Sequence, residues 1–409
     1  MKKPDFRLLW WGLILVLATS CQASTHVSTL WTNIPDVAGY VAKFNAEQNQ
    51  WQILLEYQAH PARQLLTPGP KADLVIARGL NSKEVRSNLT SLSFLFDRGG
   101  ITKAQFYPQL LESGSEGDTP LLLPLSFDLP ILVFRRGALD NPDGLVLSFS
   151  AVQAYSKKFD TSAPPGFNRF AFSPRWDNFA LTALEAEGVS FGEDFRGRLS
   201  WDQGRLNSGV TSLQTWIQGL DLSREKDFTR KYQESNPLQM LQVGRELFTA
   251  STLKSFLTLP EYERQGLEFR YPDDGQGIPA EDSIVWAGIP SSAVTRAAAQ
   301  AFLTWYFQEK TQKELALATY AKDTRGFGLA SGLDSLIKVN DQVLPRLYPD
   351  LTGRVPPPSL LSFPPPRPVE WAQLKQKVLS PWLNQRLLGD HKQNLNDEVE
   401  RWYRESAPQ

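Results

Sequence analysis

The sequence predicts an α/β protein of two lobes, and three observations lead there. Short apolar runs of strand length alternate with segments of helical period from Val27 onward, the order that builds parallel βαβ units. The stretch Leu121 to Leu139, LLLPLSFDLPILVFRRGAL, holds two such runs, Leu121 to Leu125 and Ile131 to Phe134, split by Ser126-Phe127-Asp128-Leu129-Pro130. Pro124 and Pro130 each fix φ and remove a ladder donor, so this is one extended crossing that jogs between two packing environments. Finally, 409 residues exceed the size at which a single core usually keeps growing. A carboxylate on such a crossing is costly to bury uncompensated, so Asp128 is expected to face water, a hydrogen-bonding partner or a ligand. A polar kink in an edge strand is the plainer alternative.

From the N-terminus, Met1 to Ser20 carries Lys2, Lys3 and Arg7 ahead of the apolar run Leu8 to Ala18, the form of a signal peptide and too short to span a membrane. Leu17-Ala18-Thr19-Ser20-Cys21 resembles a bacterial lipobox, in which the Cys becomes the lipidated first residue of the mature chain. Residues 1–20 are therefore read as a lipoprotein signal peptide and Cys21 as a lipid anchor, with an ordinary secretory signal as the alternative. Val27 to Trp31 then reads as a strand. Ile34 to Gln48 is an amphipathic helix with Val37, Val41 and Phe44 on one face. Trp51 to Tyr57 is a second strand and Ala72 to Ala77 a third, ending at Arg78-Gly79. Ligands meet the carboxyl ends of parallel strands, which singles out Trp31, Thr32, Asn33 and Arg78, although each also fits a packing or surface role.

Beyond the crossing, Phe167 to Ala186 reads as a strand and a helix, with Trp176 on the first helical turn. Ser212 to Leu220 is helical, and Leu238 to Glu246 leads into Leu247 to Thr252, a strand whose small hydroxylated end around Thr249 either leaves room for a ligand or forms a plain turn. Leu267 to Pro272 and a loop of Asp, Gly, Gln and Pro mark a second break. The strand Ser283 to Pro290 follows, with Val285 and Trp286 on opposite faces. Ala297 to Ala318 has a core-facing helical period, Val355 to Pro368 is a Pro-rich stiff connector, and Val369 to Glu405 is a helix pair containing Trp371.

Composition narrows the function. The 43 basic and 44 acidic residues are interspersed, so nothing calls for a nucleic-acid partner. One Cys and three scattered His are too few for a zinc site or a Cys/His nucleophile pair, and neither metal nor cofactor is expected. A glycoside hydrolase would need two carboxylates about 5 to 10 Å apart across a cleft. Asp273-Asp274 and Glu281-Asp282 are available only as adjacent pairs in a loop, so the chain is read as a non-enzyme. Twelve Trp offer flat amphipathic surfaces suited to a binding site.

From about Val27 to the C-terminus the order of features resembles the family 1 extracellular solute-binding proteins of ABC importers. Four segments carry the likeness: Leu30-Trp31-Thr32 followed by Phe44-Asn45-Ala46-Glu47; Ala72-Asp73-Leu74-Val75; Leu123-Pro124 with Phe127-Asp128; and Trp286-Ala-Gly-Ile-Pro followed by Ala297 to Trp305. Phe134-Arg135 departs from that family's Tyr-Asn, and Phe248-Thr249-Ala250-Ser251 lacks its Gly-Trp. The resemblance implies the two-lobe periplasmic-binding-protein fold of type II, with residues 25–125 and 283–333 in one lobe and 126–282 and 334–409 in the other. Crossings would fall near Ser126, Ile278 and Leu333. It implies a monomer that traps a carbohydrate between its lobes and delivers it to a membrane ABC permease at the extracytoplasmic face; a sensory receptor subunit is the other role such a fold would serve. Trp31, Trp176, Trp286 and Trp371 would stack on sugar rings. Asp128, Asn33 and Arg325 would hydrogen-bond hydroxyls, with Thr32, Arg78, Phe127 and Thr249 completing the site.

Overall fold

The computed structural model describes residues 26–97, 100–140, 144–162, 168–232, 235–321, 326–389 and 393–406. Strand β1 (His26–Thr32) pairs in parallel with β2 (Trp51–Tyr57) across the helix Val37–Glu47, and β3 (Leu74–Arg78) pairs with β1 on its other side. The helix forms because Val37, Tyr40, Val41 and Phe44 fall on one face and are buried together. A hairpin of β4 (Ser115–Glu116) and β5 (Thr119–Pro120) precedes β6 (Leu123–Phe127). The chain then leaves this lobe through Asp128-Leu129.

The second lobe is built on β7 (Pro130–Arg135), with β8 (Val146–Leu147), a hairpin of β9 (Phe191–Glu193) and β10 (Leu199–Trp201), then β11 (Thr249–Thr252) and β12 (Leu267–Pro272). Its sheet runs β11-β7-β12-β8. Alternation along β7 sends Leu132 and Phe134 into the second lobe's own core. Ile131 and Val133 go to the other face, where they join the large cluster continuous with the first lobe. The return runs through β13 (Ile278–Pro279) to β14 (Val285–Gly288), which enters the first sheet antiparallel to both β3 and β6, and β15 (Leu333–Asp334) completes the order β15-β6-β14-β3-β1-β2. A last strand, β16 (Leu361–Ser362), lies parallel to β13.

Three expectations are corrected. Trp176 does not open a helix: Asp177 and Asn178 take left-handed φ of 52° and 59°, and the helix is Phe179–Ala186. Asn and Asp are the residues that tolerate this conformation, so the turn is encoded locally. The long helix after β14 is two, Arg296–Tyr306 and Glu309–Ala321, broken where Phe307 packs against Phe106 at 5.4 Å between ring centroids. The chain also does not change lobes at Leu333. Residues 337–351 remain on the first lobe, where Lys338 pairs with Glu309 at 3.0 Å and Asn340 donates to the Tyr107 hydroxyl at 3.0 Å. Arg354 then reaches Glu268 of β12 at 3.0 Å, so the third crossing is the Pro-rich segment itself.

Candidate functional site

The lobes face each other over a chamber of about 320 Å³, and a second chamber of about 270 Å³ lies on the second lobe's side; the two meet at Asp282 and Arg367. Arg367 belongs to the Pro-rich strap. Its backbone N–H donates to the Asn81 carbonyl of the first lobe at 2.9 Å, while its side chain reaches the second lobe, donating to Glu185 at 2.5 Å and to the Phe191 carbonyl at 3.1 Å. Its guanidinium lies 4.1 Å from the centre of the Trp371 ring, a cation–π contact. The prolines explain why the strap spans the gap, since a chain with preset φ and few donors can run between two walls without a sheet to complete it.

The larger chamber is the more apolar. Asn33, His60, Pro61, Arg78, Trp286, Pro364, Pro365, Pro368 and Trp371 are among its lining residues. Asn33 Oδ1 accepts the Arg78 backbone N–H at 3.1 Å, so the ends of β1 and β3 brace each other. Arg78 Nε donates to the Ser283 carbonyl at 3.2 Å, and burial lowers its pKa against the pull of Asp36 and Asp128. Lys254 in the second lobe is lowered first by burial and then by the Arg78 charge, against Asp128 and Asp36.

The smaller chamber is polar. Ser251, Thr252 and Ser255 supply hydroxyls from the end of β11 and the helix Leu253–Leu257, and Asp177 and Asn178 stand at its rim. Glu185, Glu281, Asp282 and Lys375 complete it. Asp282 Oδ2 accepts from Trp371 Nε1 at 2.7 Å and from Lys375 Nζ at 2.8 Å. Burial alone would raise its pKa, but the Lys375 and Arg367 cations hold it below the ordinary carboxylate value. Lys375 opens a π-helical turn, Lys375–Leu379, followed by Ser380–Leu387. Pro381 has no N–H for the ordinary i→i−4 bond, which accounts for a widened turn here. Glu281 is pushed up to about 8, first by burial and then by Asp282, Asp128 and Glu185, against Lys375.

The structure brings Asn33, Arg78, Trp286 and Trp371 to one chamber and leaves the other sequence-predicted residues off its walls. Trp286 offers little free surface: it is 2% exposed, packed in the first lobe's core. Trp31 is 4% exposed and donates its indole N–H to Glu56 at 2.8 Å. Trp176 is stacked on Phe228, ring centroids 5.9 Å apart. Phe127 is wedged between Tyr107 and Phe363, Thr32 Oγ1 caps the Ile34 N–H at 3.0 Å, and Thr249 donates to Glu246 at 2.9 Å. Asp128 takes the hydrogen-bonding alternative: Oδ1 accepts backbone N–H groups of Leu129 and Lys254, both at 2.9 Å, and its carbonyl accepts the Glu281 N–H at 2.9 Å. Arg325 and Cys21 lie outside the described residues. Sequence reasoning missed Arg367, Lys375 and Glu185 because no local pattern distinguishes them; the one available signal was a lone Arg inside a run of prolines. Among the described residues no three His, Cys, Asp or Glu side chains converge as a metal set, and no helix is long and apolar enough to cross a membrane.

No protein-family model matches the chain, and no curated protein matches it in sequence. Its fold is nonetheless that of the two-lobed sugar-binding proteins of ABC importers. The sugar-binding protein MalE from Xanthomonas citri superposes with a TM-score of 0.66 at 13% identity, over 93% of this chain and 100% of that one. A cyclo/maltodextrin-binding protein complexed with maltotetraose gives 0.62 at 12%, over 95% and 100%. An ABC substrate-binding protein from Listeria monocytogenes in complex with cycloalternan gives 0.60 at 11%, over 94% and 100%.

Proposed function

We propose that this chain is an extracytoplasmic solute-binding protein that captures a carbohydrate between its lobes and delivers it to an ABC permease. The observation that carries the reading is the cleft itself: its larger chamber sets Asn33 and Arg78 of the first lobe against Pro368 and Trp371, and it opens at Asp282 and Arg367 into a smaller chamber of the second lobe lined by hydroxyls, carboxylates and paired basic side chains. Sugars are met in this way, with ring faces on apolar surface and hydroxyls on polar groups. The named contents of the neighbouring structures, maltotetraose and cycloalternan, support a carbohydrate. Lobes joined by narrow crossings differ little in free energy between open and closed arrangements, and a solute that touches both favours closure by its differential affinity. The signal segment and Cys21 support a lipid-anchored protein outside the cytoplasmic membrane, acting as a monomer.

A thermal-shift titration of the full-length chain in detergent, against mono- and oligosaccharides, tests this. A sugar at a hundred times its dissociation constant stabilises the folded state by about 2.7 kcal/mol. The shift is expected to shrink in Asn33→Ala and Ser251→Ala, one from each chamber. Absence of any shift across the sugar panel would reject the carbohydrate reading.

A further inference from the structure

The smaller chamber holds more carboxyl groups than it has basic side chains to pair them. Four carboxylates, of Asp177, Glu185, Glu281 and Asp282, line it against two cations, Arg367 and Lys375. Both cations are already committed, Lys375 to Asp282 and Arg367 to Glu185 and the Trp371 face. Glu281 is held in place by its backbone, through the Asp128 carbonyl, yet its carboxyl has no hydrogen bond or ion pair among the described residues. We propose that this chamber receives a sugar carrying a protonated amino group, with the Glu281 carboxylate as its counter-ion. The proposal rests on the carbohydrate reading and narrows it.

An anionic sugar would meet repulsion from Asp282 and Glu185 here, and a neutral one would leave the Glu281 carboxyl protonated and without a partner. An ammonium supplies a charge and three donors in one group, while the hydroxyls of Ser251 and Ser255 remain for the ring. In the empty chamber burial keeps Glu281 protonated up to about pH 8; the charged groups facing it are Asp128 from the first crossing, Asp282 beside it, Glu185 from the helix Phe179–Ala186 and Lys375 from the C-terminal helices. When the ammonium docks, the carboxyl O–H gives its proton to solvent and the resulting carboxylate pairs with the ligand, so binding at neutral pH releases one proton.

Isothermal titration of the full-length chain with glucose and with 6-amino-6-deoxyglucose tests the assignment. The amino sugar is expected to bind at least about tenfold tighter than glucose, with a heat that depends on the buffer because a proton is released. Glu281→Gln should abolish that advantage, with unliganded melting reporting that the variant folds. If the variant does not fold, ionic strength decides with the wild type: raising salt from about 0.05 to about 0.5 M should weaken the amino sugar and leave glucose unaffected. Equal affinities, or an advantage that survives Glu281→Gln or high salt, overturn the proposal. Should glucose or a maltodextrin bind with no gain from the amino group, this inference falls and carbohydrate capture stands; should no sugar of either kind bind, both fall.

Discussion

Asp128 ties three parts of the hinge together with one residue. Its carboxylate takes the N–H groups of Leu129 and Lys254, and its carbonyl takes that of Glu281 on the second crossing. Removing the carboxylate strands two buried donors, so Asp128→Ala should cost on the order of 3 kcal/mol in urea unfolding, whereas Asp128→Asn, which keeps an acceptor, should cost about a third of that. A ligand-contact role would instead leave stability intact and remove binding. Glu281 makes a different prediction. The folded chain keeps this proton to about pH 8, while the unfolded chain releases it near the ordinary carboxylate value. Between those limits the folded state binds the extra proton, so stability is greatest at the acid end of the window and falls as pH rises. Glu246, pushed up to about 7 by burial, acts with the same sign. Unliganded melting should therefore decline from about pH 5 to about pH 8, and Glu281→Gln should flatten that decline by on the order of 2 kcal/mol. At this scale the sequence revealed residue types better than roles. Asp128 stood out because a carboxylate between two prolines is conspicuous, but only the fold shows that helix Leu253–Leu257 delivers the backbone N–H that occupies it.

Strands and their breaks were more legible than side-chain roles, for a physical reason. The run Trp51–Tyr57 and the split at Asp128-Leu129 follow from apolar runs and proline placement, which are local. The fate of Trp286 is not local. Behind its strand, a Cβ on Gly114 would lie 2.5 Å from the Leu122 carbonyl oxygen and 2.7 Å from Trp286 Cζ3, so the indole is seated against bare backbone. Gly114→Ala should therefore cost roughly 2 to 3 kcal/mol by forcing the indole or the backbone aside, measurable as a lowered urea midpoint with little change in slope. The Pro-rich connector was legible as stiff and illegible as a cleft wall, because its position depends on Arg367 finding Glu185 and Trp371 across long sequence separations. Arg367→Ala leaves Glu185 half-buried and unpaired, which should cost about 3 kcal/mol, and frees the strap, which should weaken sugar binding in the same variant.

At the scale of the whole molecule the lobes also touch at the mouth of the cleft. There the short helix Lys83–Arg86 of the first lobe meets the β9–β10 hairpin of the second: the Lys83 backbone N–H donates to the Glu193 carboxylate, and Lys83 Nζ donates to the Asp194 carbonyl at 2.9 Å. These contacts exist only while the lobes are together, so they favour closure without contributing to the stability of either lobe. Lys83 is exposed, and a surface contact of this kind is worth about 1 kcal/mol or less. Such a difference is small against a folded core but shifts an open–closed equilibrium several-fold. Glu193→Lys sets a second cation against Lys83 and Arg86, and should enlarge the radius of gyration of the unliganded chain in X-ray scattering while leaving its melting temperature within error. Affinity for the captured sugar should fall by roughly threefold to tenfold, mostly through a faster off-rate, because the competent closed state is less populated. Adding Lys83→Glu to that variant restores opposite charges in reversed order. If the mouth contact sets the closed population, the double variant recovers both compactness and affinity; if the two substitutions simply add, the mouth contact does not set it.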